Sequence, residues 1–182
     1  MTLEIVFGPM FSGKSTYALS YIRRKRAIGL NVLAIKPNID TRYGTEEELV
    51  THDKEKIPCI PWNVSNHMST FDVSKIYENE CIVIEEAQFF QGLYEFVKTC
   101  MQMDRDILIV GLDGDASQKP FGEIFQCIPY ANKVTKINAL CFLCKDGTEA
   151  PYTIKTASKS DQQVDVGGSD KYVSVCFKHM RV

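Results

Sequence analysis

The chain has 182 residues, 45% of them apolar, with 21 Lys and Arg against 23 Asp and Glu. That length fits one large domain with a small appendage. The net charge of -2 and the pI near 5.9 argue against bulk nucleic-acid binding, which leaves a basic footprint. No apolar run is long enough to cross a bilayer, and the acidic, strand-like start lacks the basic region of a signal peptide. A cytoplasmic protein is expected, whose seven cysteines are thiols or metal ligands and not a disulfide framework.

The first element is an apolar strand, Leu3–Phe7. Directly after it, Gly8-Pro9-Met10-Phe11-Ser12-Gly13-Lys14-Ser15 fits the G-x-x-x-x-G-K-[ST] pattern of a phosphate-binding loop. The glycines let the backbone curl so that successive N–H groups point at a bound nucleotide's phosphates. Lys14 is expected to reach the β- and γ-phosphates, and Ser15 to offer its hydroxyl to Mg²⁺. A helix over Ser15–Ile28, including Thr16, adds its positive N-terminal end. The run Arg23-Arg24-Lys25-Arg26 reads as the solvated face of that helix, with a subunit contact or a late nucleotide contact as the alternative.

Val32–Ile35 reads as a second buried strand, and the polar stretch Asp40–Asn63 as a loop or irregular excursion. The strand Cys81–Ile84 ends in Glu85-Glu86. Acids closing an apolar strand beside a phosphate loop form the Walker-B arrangement, in which one carboxylate holds Mg²⁺ and the other can take a proton from a nucleophile. Helical segments at Leu93–Met103 and Phe121–Ile128 alternate with buried strands at Ile107–Val110 and Val134–Ile137. The pattern predicts an α/β fold with a parallel sheet flanked by helices.

At Ala139 the character changes to a small, loop-rich module, giving expected domains at 1–138 and 139–182. Cys141-Phe142-Leu143-Cys144 and Cys176-Phe177-Lys178-His179 form a C-x₂-C…C-x₂-H set suited to a closed tetrahedral zinc site. The metal would clip both ends of a long polar segment, and Ala150–Asp170 reads as a lid over a substrate. Cys81, Cys100 and Cys127 read as core residues. Cys59 carries no assigned role, and His52 and His67 read as ordinary polar residues.

Together these residues resemble the cytosolic thymidine kinases of the type II class, the cellular and poxviral kind with a zinc-bearing lasso. The resemblance rests on the phosphate loop through Thr16, Asp40-Thr41-Arg42-Tyr43, Thr51-His52-Asp53, Glu86-Ala87-Gln88-Phe89-Phe90, Leu112-Asp113-Gly114, Lys119-Pro120-Phe121-Gly122, both metal pairs, and Gly167-Gly168-Ser169-Asp170-Lys171-Tyr172. It implies transfer of the γ-phosphate of ATP to the 5′-hydroxyl of deoxythymidine, with Glu86 as catalytic base and Arg42 near the reacting phosphates. Gly8 to Thr16 and Glu85 would bind the nucleotide and its Mg²⁺. The pyrimidine would sit against Met10, Phe89, Leu112, Phe121 and Tyr172, its polar edge meeting main chain at Gln163, Val164, Asp165, Val166, Gly167 and Gly168. The family is typically homotetrameric, and binding of nucleic acid or membrane is not expected. This chain departs from the family at Glu85 (usually Asp), Ala87 (usually Gly) and Ala116 (usually Phe), the last implying a wider base pocket. A relative with shifted pyrimidine specificity or a non-catalytic regulatory role is the alternative, and an ATPase that uses the Cys/His module to bind nucleic acid is a further rival.

Overall fold

A computed structural model of the chain describes residues 1–39, 48–50, 56–156 and 167–180. In chain order its elements are β1 (Leu3–Phe7), α1 (Lys14–Ala27), β2 (Val32–Pro37), β3 (Glu48–Val50), β4 (Lys56–Pro58), β5 (Ile60–Trp62), α2 (Val73–Tyr77), β6 (Cys81–Ile84) and α3 (Leu93–Gln102). There follow β7 (Asp106–Gly111), α4 (Ile124–Cys127), β8 (Lys133–Lys136), β9 (Ala139–Leu140), β10 (Glu149–Ala150), β11 (Tyr152–Lys155), β12 (Tyr172–Val175) and α5 (Phe177–Met180). Six strands make one parallel sheet in the order β5-β2-β6-β7-β1-β8. The short strands pair antiparallel as β3 with β4, β9 with β10 and β11 with β12. The α/β class expected from the alternating apolar runs is the one observed. No helix among the described residues is long and apolar enough to cross a membrane.

The central strands are buried on both faces, which is why they read as continuous apolar runs. Alternation along each strand splits their side chains between two layers. Leu33, Ile35, Ile82, Ile84, Ile107 and Ile109 pack with Leu93, Phe96 and Val97 of α3. Val32, Ala34, Cys81, Val83, Leu108 and Val110 pack with Ala18, Leu19, Tyr21 and Ile22 of α1. Each large side chain buried this way contributes roughly 1.5–3 kcal/mol. Cys81, Cys100 and Cys127 are fully buried in these layers, and burial pushes the Cys100 and Cys127 thiols up to about 12.

Helix ends are closed by local chemistry and by one long-range contact. α1 stops at Gly29, φ 86°, whose N–H bonds Arg26 O while Leu30 N–H bonds Lys25 O, a left-handed cap that glycine takes without strain. Its last turn carries Arg24, Lys25 and Arg26, favourable beside the negative end of the helix. Lys25 pairs with Asp106 at 2.6 Å, while Arg23, Arg24 and Arg26 are exposed, as a solvated face predicts. The N-terminus of α3 is closed from α4's side, because both Glu123 carboxylate oxygens accept, from Gly92 N–H at 2.9 Å and Tyr94 N–H at 3.1 Å.

Three expectations are corrected. Val134–Ile137 is not a buried strand: β8 is an edge strand with Val134 42% exposed, and its flanking lysines suit an edge. Only Ile124–Cys127 of the expected helix Phe121–Ile128 is α-helical, because Gly122 turns at φ 68° and Pro129 lies in a 3₁₀ turn, Ile128–Tyr130. The excursion Asp40–Asn63 contains β5, which extends the main sheet; its Pro61 is tolerated because β5 is an edge strand. Asp40-Thr41-Arg42-Tyr43 and Thr51-His52-Asp53 lie outside the described residues. His67 is an ordinary polar residue, its Nδ1 accepting from Ser69 N–H at 3.3 Å to cap the turn Met68–Thr70.

Candidate functional site

The phosphate loop joins β1 to α1 at the C-terminal edge of the parallel sheet, where open α/β folds bind ligands. Gly8 is required by close approach, since a Cβ there would lie 2.0 Å from Ile137 O. Gly13 is required by conformation, because it takes φ 85° immediately before α1. Lys14 is buried and folds back to donate to Pro9 O at 2.6 Å. Ser12 Oγ is buried and has no partner among the described residues. A buried, unpartnered hydroxyl in the phosphate loop fits a site that completes its hydrogen bonds on a bound anion.

The acidic pair lies beside this loop. The alternation that sends Cys81 and Val83 toward α1 sends Glu85 the same way. Glu85 is 5% exposed and accepts a 2.6 Å hydrogen bond from Ser15 Oγ. One hydroxyl and one carboxylate converge next to the phosphate loop, and this oxygen donor set fits a small hard cation such as Mg²⁺. Glu85 and Glu86 would diverge on a straight strand, but Glu86 takes φ 49°, ψ 44° and the chain turns there. A left-handed non-glycine residue costs of order 1–3 kcal/mol, and such strain gathers at functional sites. The left-handed position thus falls on Glu86, and Ala87 opens the 3₁₀ turn Ala87–Phe89 as an ordinary buried residue. Gln88 Nε2 donates to Glu86 Oε2 at 2.5 Å.

Other expected pocket residues gather at the same edge. Phe89 and Phe121 meet edge to face with centroids 5.4 Å apart. Leu112, just after β7, donates its N–H to Gln88 Oε1 at 2.9 Å. Met10 donates its N–H to Thr153 Oγ1 at 2.9 Å, which ties the phosphate loop to β11. Gln118 Nε2 donates to the Thr153 carbonyl at 3.2 Å and closes the same junction. Tyr172 is buried on β12 and is the strand partner of Lys155, two residues past Thr153. Gly167 packs on Lys171, and the Gly168 carbonyl accepts from Tyr172 N–H at 3.0 Å. Arg42, Gln163, Val164, Asp165 and Val166 lie outside the described residues, as does part of the expected lid Ala150–Asp170.

Cys141, Cys144, Cys176 and His179 converge at the junction of β9, β12 and α5, their ligand atoms all within 4.8 Å of one another. His179 Nδ1 lies 3.5 Å from Cys141 Sγ, 3.5 Å from Cys144 Sγ and 3.4 Å from Cys176 Sγ, and Cys144 Sγ lies 3.7 Å from Cys176 Sγ. A tetrahedron with zinc–sulfur bonds of about 2.3 Å and zinc–nitrogen bonds of about 2.05 Å has S···S edges of about 3.8 Å and S···N edges of about 3.5 Å. The four measured edges therefore match those of a zinc tetrahedron. Burial pushes the Cys141 thiol up, but N–H groups of Cys176, Cys144 and Leu143 and the His179 ring outweigh it and hold it at about 6. The thiolate is the form of cysteine that binds metal.

Sequence reasoning missed Thr153, Gln118 and the bridging role of Gln88, which act through contacts far along the chain. The signal for Gln88 was its place two residues after Glu86, inside the Glu86-Ala87-Gln88-Phe89-Phe90 segment of the resemblance.

A family model described as "Thymidine kinase" matches residues 1–180. The chain is 38% identical to "Thymidine kinase a" of Arabidopsis thaliana, over 97% of this chain and 74% of that protein. It is 34% identical to the "Thymidine kinase" of Yaba monkey tumor virus, over 96% of this chain and 91% of that protein. It is also 34% identical to human "Thymidine kinase, cytosolic", over 96% of this chain and 70% of that protein.

Proposed function

The chain belongs to the thymidine kinase family, and we propose that it transfers the γ-phosphate of ATP to the 5′-hydroxyl of deoxythymidine. The observation that carries this reading is the Ser15–Glu85 hydrogen bond of 2.6 Å beside a phosphate loop, with Glu86 next in the chain. Phosphoryl transfer asks for positioning and charge neutralisation more than covalent chemistry.

In this reading the amides from Gly8 to Thr16 cradle the phosphates, and Lys14 leaves Pro9 O to neutralise them. Ser15 and Glu85 would hold Mg²⁺, which would supply charge neutralisation at the phosphates. The 5′-oxygen forms a bond to the γ-phosphorus, the bond from that phosphorus to the bridging oxygen breaks, and ADP leaves with the bridging oxygen. Glu86 takes the proton of the 5′-hydroxyl. Arg42 is assigned to the reacting phosphates on the family resemblance alone. Met10, Phe89, Leu112, Phe121 and Tyr172 are assigned to the pyrimidine. Gln163 to Gly168 are assigned to its polar edge.

We assign zinc to Cys141, Cys144, Cys176 and His179, a closed four-ligand set that leaves no open position for chemistry. Residues 1–138 then form the nucleotide domain and residues 139–182 the metal-bearing lasso, in a cytoplasmic homotetramer that binds neither nucleic acid nor membrane. Incubation with ATP and a panel of nucleosides, read as ADP release, tests the reading. Release with thymidine supports it, and release stimulated by DNA alone opposes it.

A further inference from the structure

We propose that Gln88 is a positioning residue that aims the carboxylate of Glu86, an inference that rests on the reading of Glu86 as the general base. Gln88 is 3% exposed, inside the turn that follows Glu86. A buried amide is costly unless both its donor and its acceptor are met. Here both ends are used: Nε2 donates to Glu86 Oε2 at 2.5 Å, and Oε1 accepts from Leu112 N–H at 2.9 Å. The partners also fix which end is which, because a carboxylate only accepts and a main-chain N–H only donates. Leu112 directly follows β7, so the acceptor end is fastened to the central sheet.

The surroundings leave Gln88 little room to shift. Gly122, at φ 68°, closes on its main chain: a Cβ at that glycine would lie 2.4 Å from Gln88 O and 2.8 Å from Gln88 Cα. Gly111 closes on its side chain, where a Cβ would lie 2.6 Å from Gln88 Oε1. Glu86 itself sits in a left-handed conformation sparsely populated by residues with a Cβ, so local preference does not set the direction of its carboxylate. The amide supplies a constraint on that direction. Holding Oε2 restrains the rotation that would swing the other oxygen away from a substrate hydroxyl. The same residue lies next to Phe89, which packs on Phe121, so the base and the expected nucleoside pocket share one fixed reference.

A base acts only from the correct geometry, and a misplacement of about 1 Å costs on the order of 10²-fold in rate. The test measures kcat, the thymidine KM and ATP affinity for Gln88→Met, Gln88→Glu, Glu86→Gln and the pair Gln88→Met/Glu86→Gln. Gln88→Met removes both hydrogen bonds at similar length. Gln88→Glu keeps the shape and the acceptor used by Leu112 and puts a carboxylate against Glu86 in place of the donor, so it carries the test if the first variant fails to fold. Positioning lowers kcat by about 10–100-fold in both, leaves KM and ATP affinity within about threefold, and makes the pair no slower than Glu86→Gln alone. Wild-type kcat in both Gln88 variants beside an impaired Glu86→Gln overturns the proposal and leaves Glu86 as the base. A near-wild-type Glu86→Gln removes the base itself, and the proposal falls with it. Losses confined to KM and melting temperature, with kcat unchanged, identify Gln88 as scaffold and overturn the proposal.

Discussion

Replacing His179 with alanine tests whether the Cys/His cluster holds the C-terminal module together. The four donors sit at 3.4–3.7 Å from one another in the measured pairs, the edge lengths of a filled zinc tetrahedron. Structural zinc binds with an apparent free energy of about 10–16 kcal/mol for four ligands. An even share makes one ligand worth about 2.5–4 kcal/mol, so His179→Ala is expected to weaken zinc by roughly 10²–10³-fold. The apolar cluster beside the donor set is small, its buried members among the described residues being Ala139, Cys141, Ala150, Val173, Val175 and Cys176, with Tyr152, Ile154 and Met180 packed against it. Loosening should reach the phosphate loop through the Met10–Thr153 hydrogen bond. Chelator competition with elemental analysis reads the metal, and hydrogen exchange over β11 and β12 reads the fold. Full zinc occupancy under the chelator that strips His179→Ala of nothing more than wild type, together with unchanged exchange, refutes the reasoning.

Three further outcomes are expected. Glu86→Gln keeps size but cannot accept a proton, so kcat should fall by about 10²–10⁴-fold while ATP affinity, read by calorimetry, holds. Ala116→Phe should tighten thymidine by about 5- to 150-fold if residue 116 faces the base, the stacking increment being about 1–3 kcal/mol; an unchanged kcat/KM ratio between thymidine and 5-substituted deoxyuridines places residue 116 elsewhere. For Asp106, burial raises the carboxyl pKa, but Lys25 at 2.6 Å and Thr2 outweigh it and hold the value below the ordinary 3.8. A carboxylate depressed by folding stabilises the native state above its unfolded value and loses that contribution as pH falls through its folded value. Asp106→Asn should therefore cost stability at pH 7, by no more than about 1 kcal/mol for so exposed a pair, and the gap to wild type in denaturant midpoints should close below pH 3.8.

The parts of the fold legible in the sequence are those written locally. Strands such as Cys81–Ile84 announce themselves because both faces are buried, and the same two-residue period that buries Cys81 and Val83 brings Glu85 to Ser15. The Cys/His pairs are legible because each lies within one short turn. What escaped is long-range and polar. Thr153 reaches Met10 across 143 positions, Glu123 caps α3 across 31, and Gln88 meets Leu112 across 24, and none of these leaves a periodic trace. The edge strand β5 escaped for a related reason, its apolar pattern broken by proline, whereas β8 was legible as a strand but not as an exposed one, because lysines flank its few apolar residues.

The central claim is that Glu85 and Ser15 complete a nucleotide site which phosphorylates thymidine. Its most direct test is the formation of thymidine 5′-monophosphate from ATP by the purified chain, followed by chromatography with and without Mg²⁺. The account expects stoichiometric thymidine monophosphate and ADP, dependent on Mg²⁺ and abolished in Ser15→Ala. ADP formed with no phosphorylated nucleoside, or thymidine monophosphate formed equally well by Ser15→Ala, contradicts it.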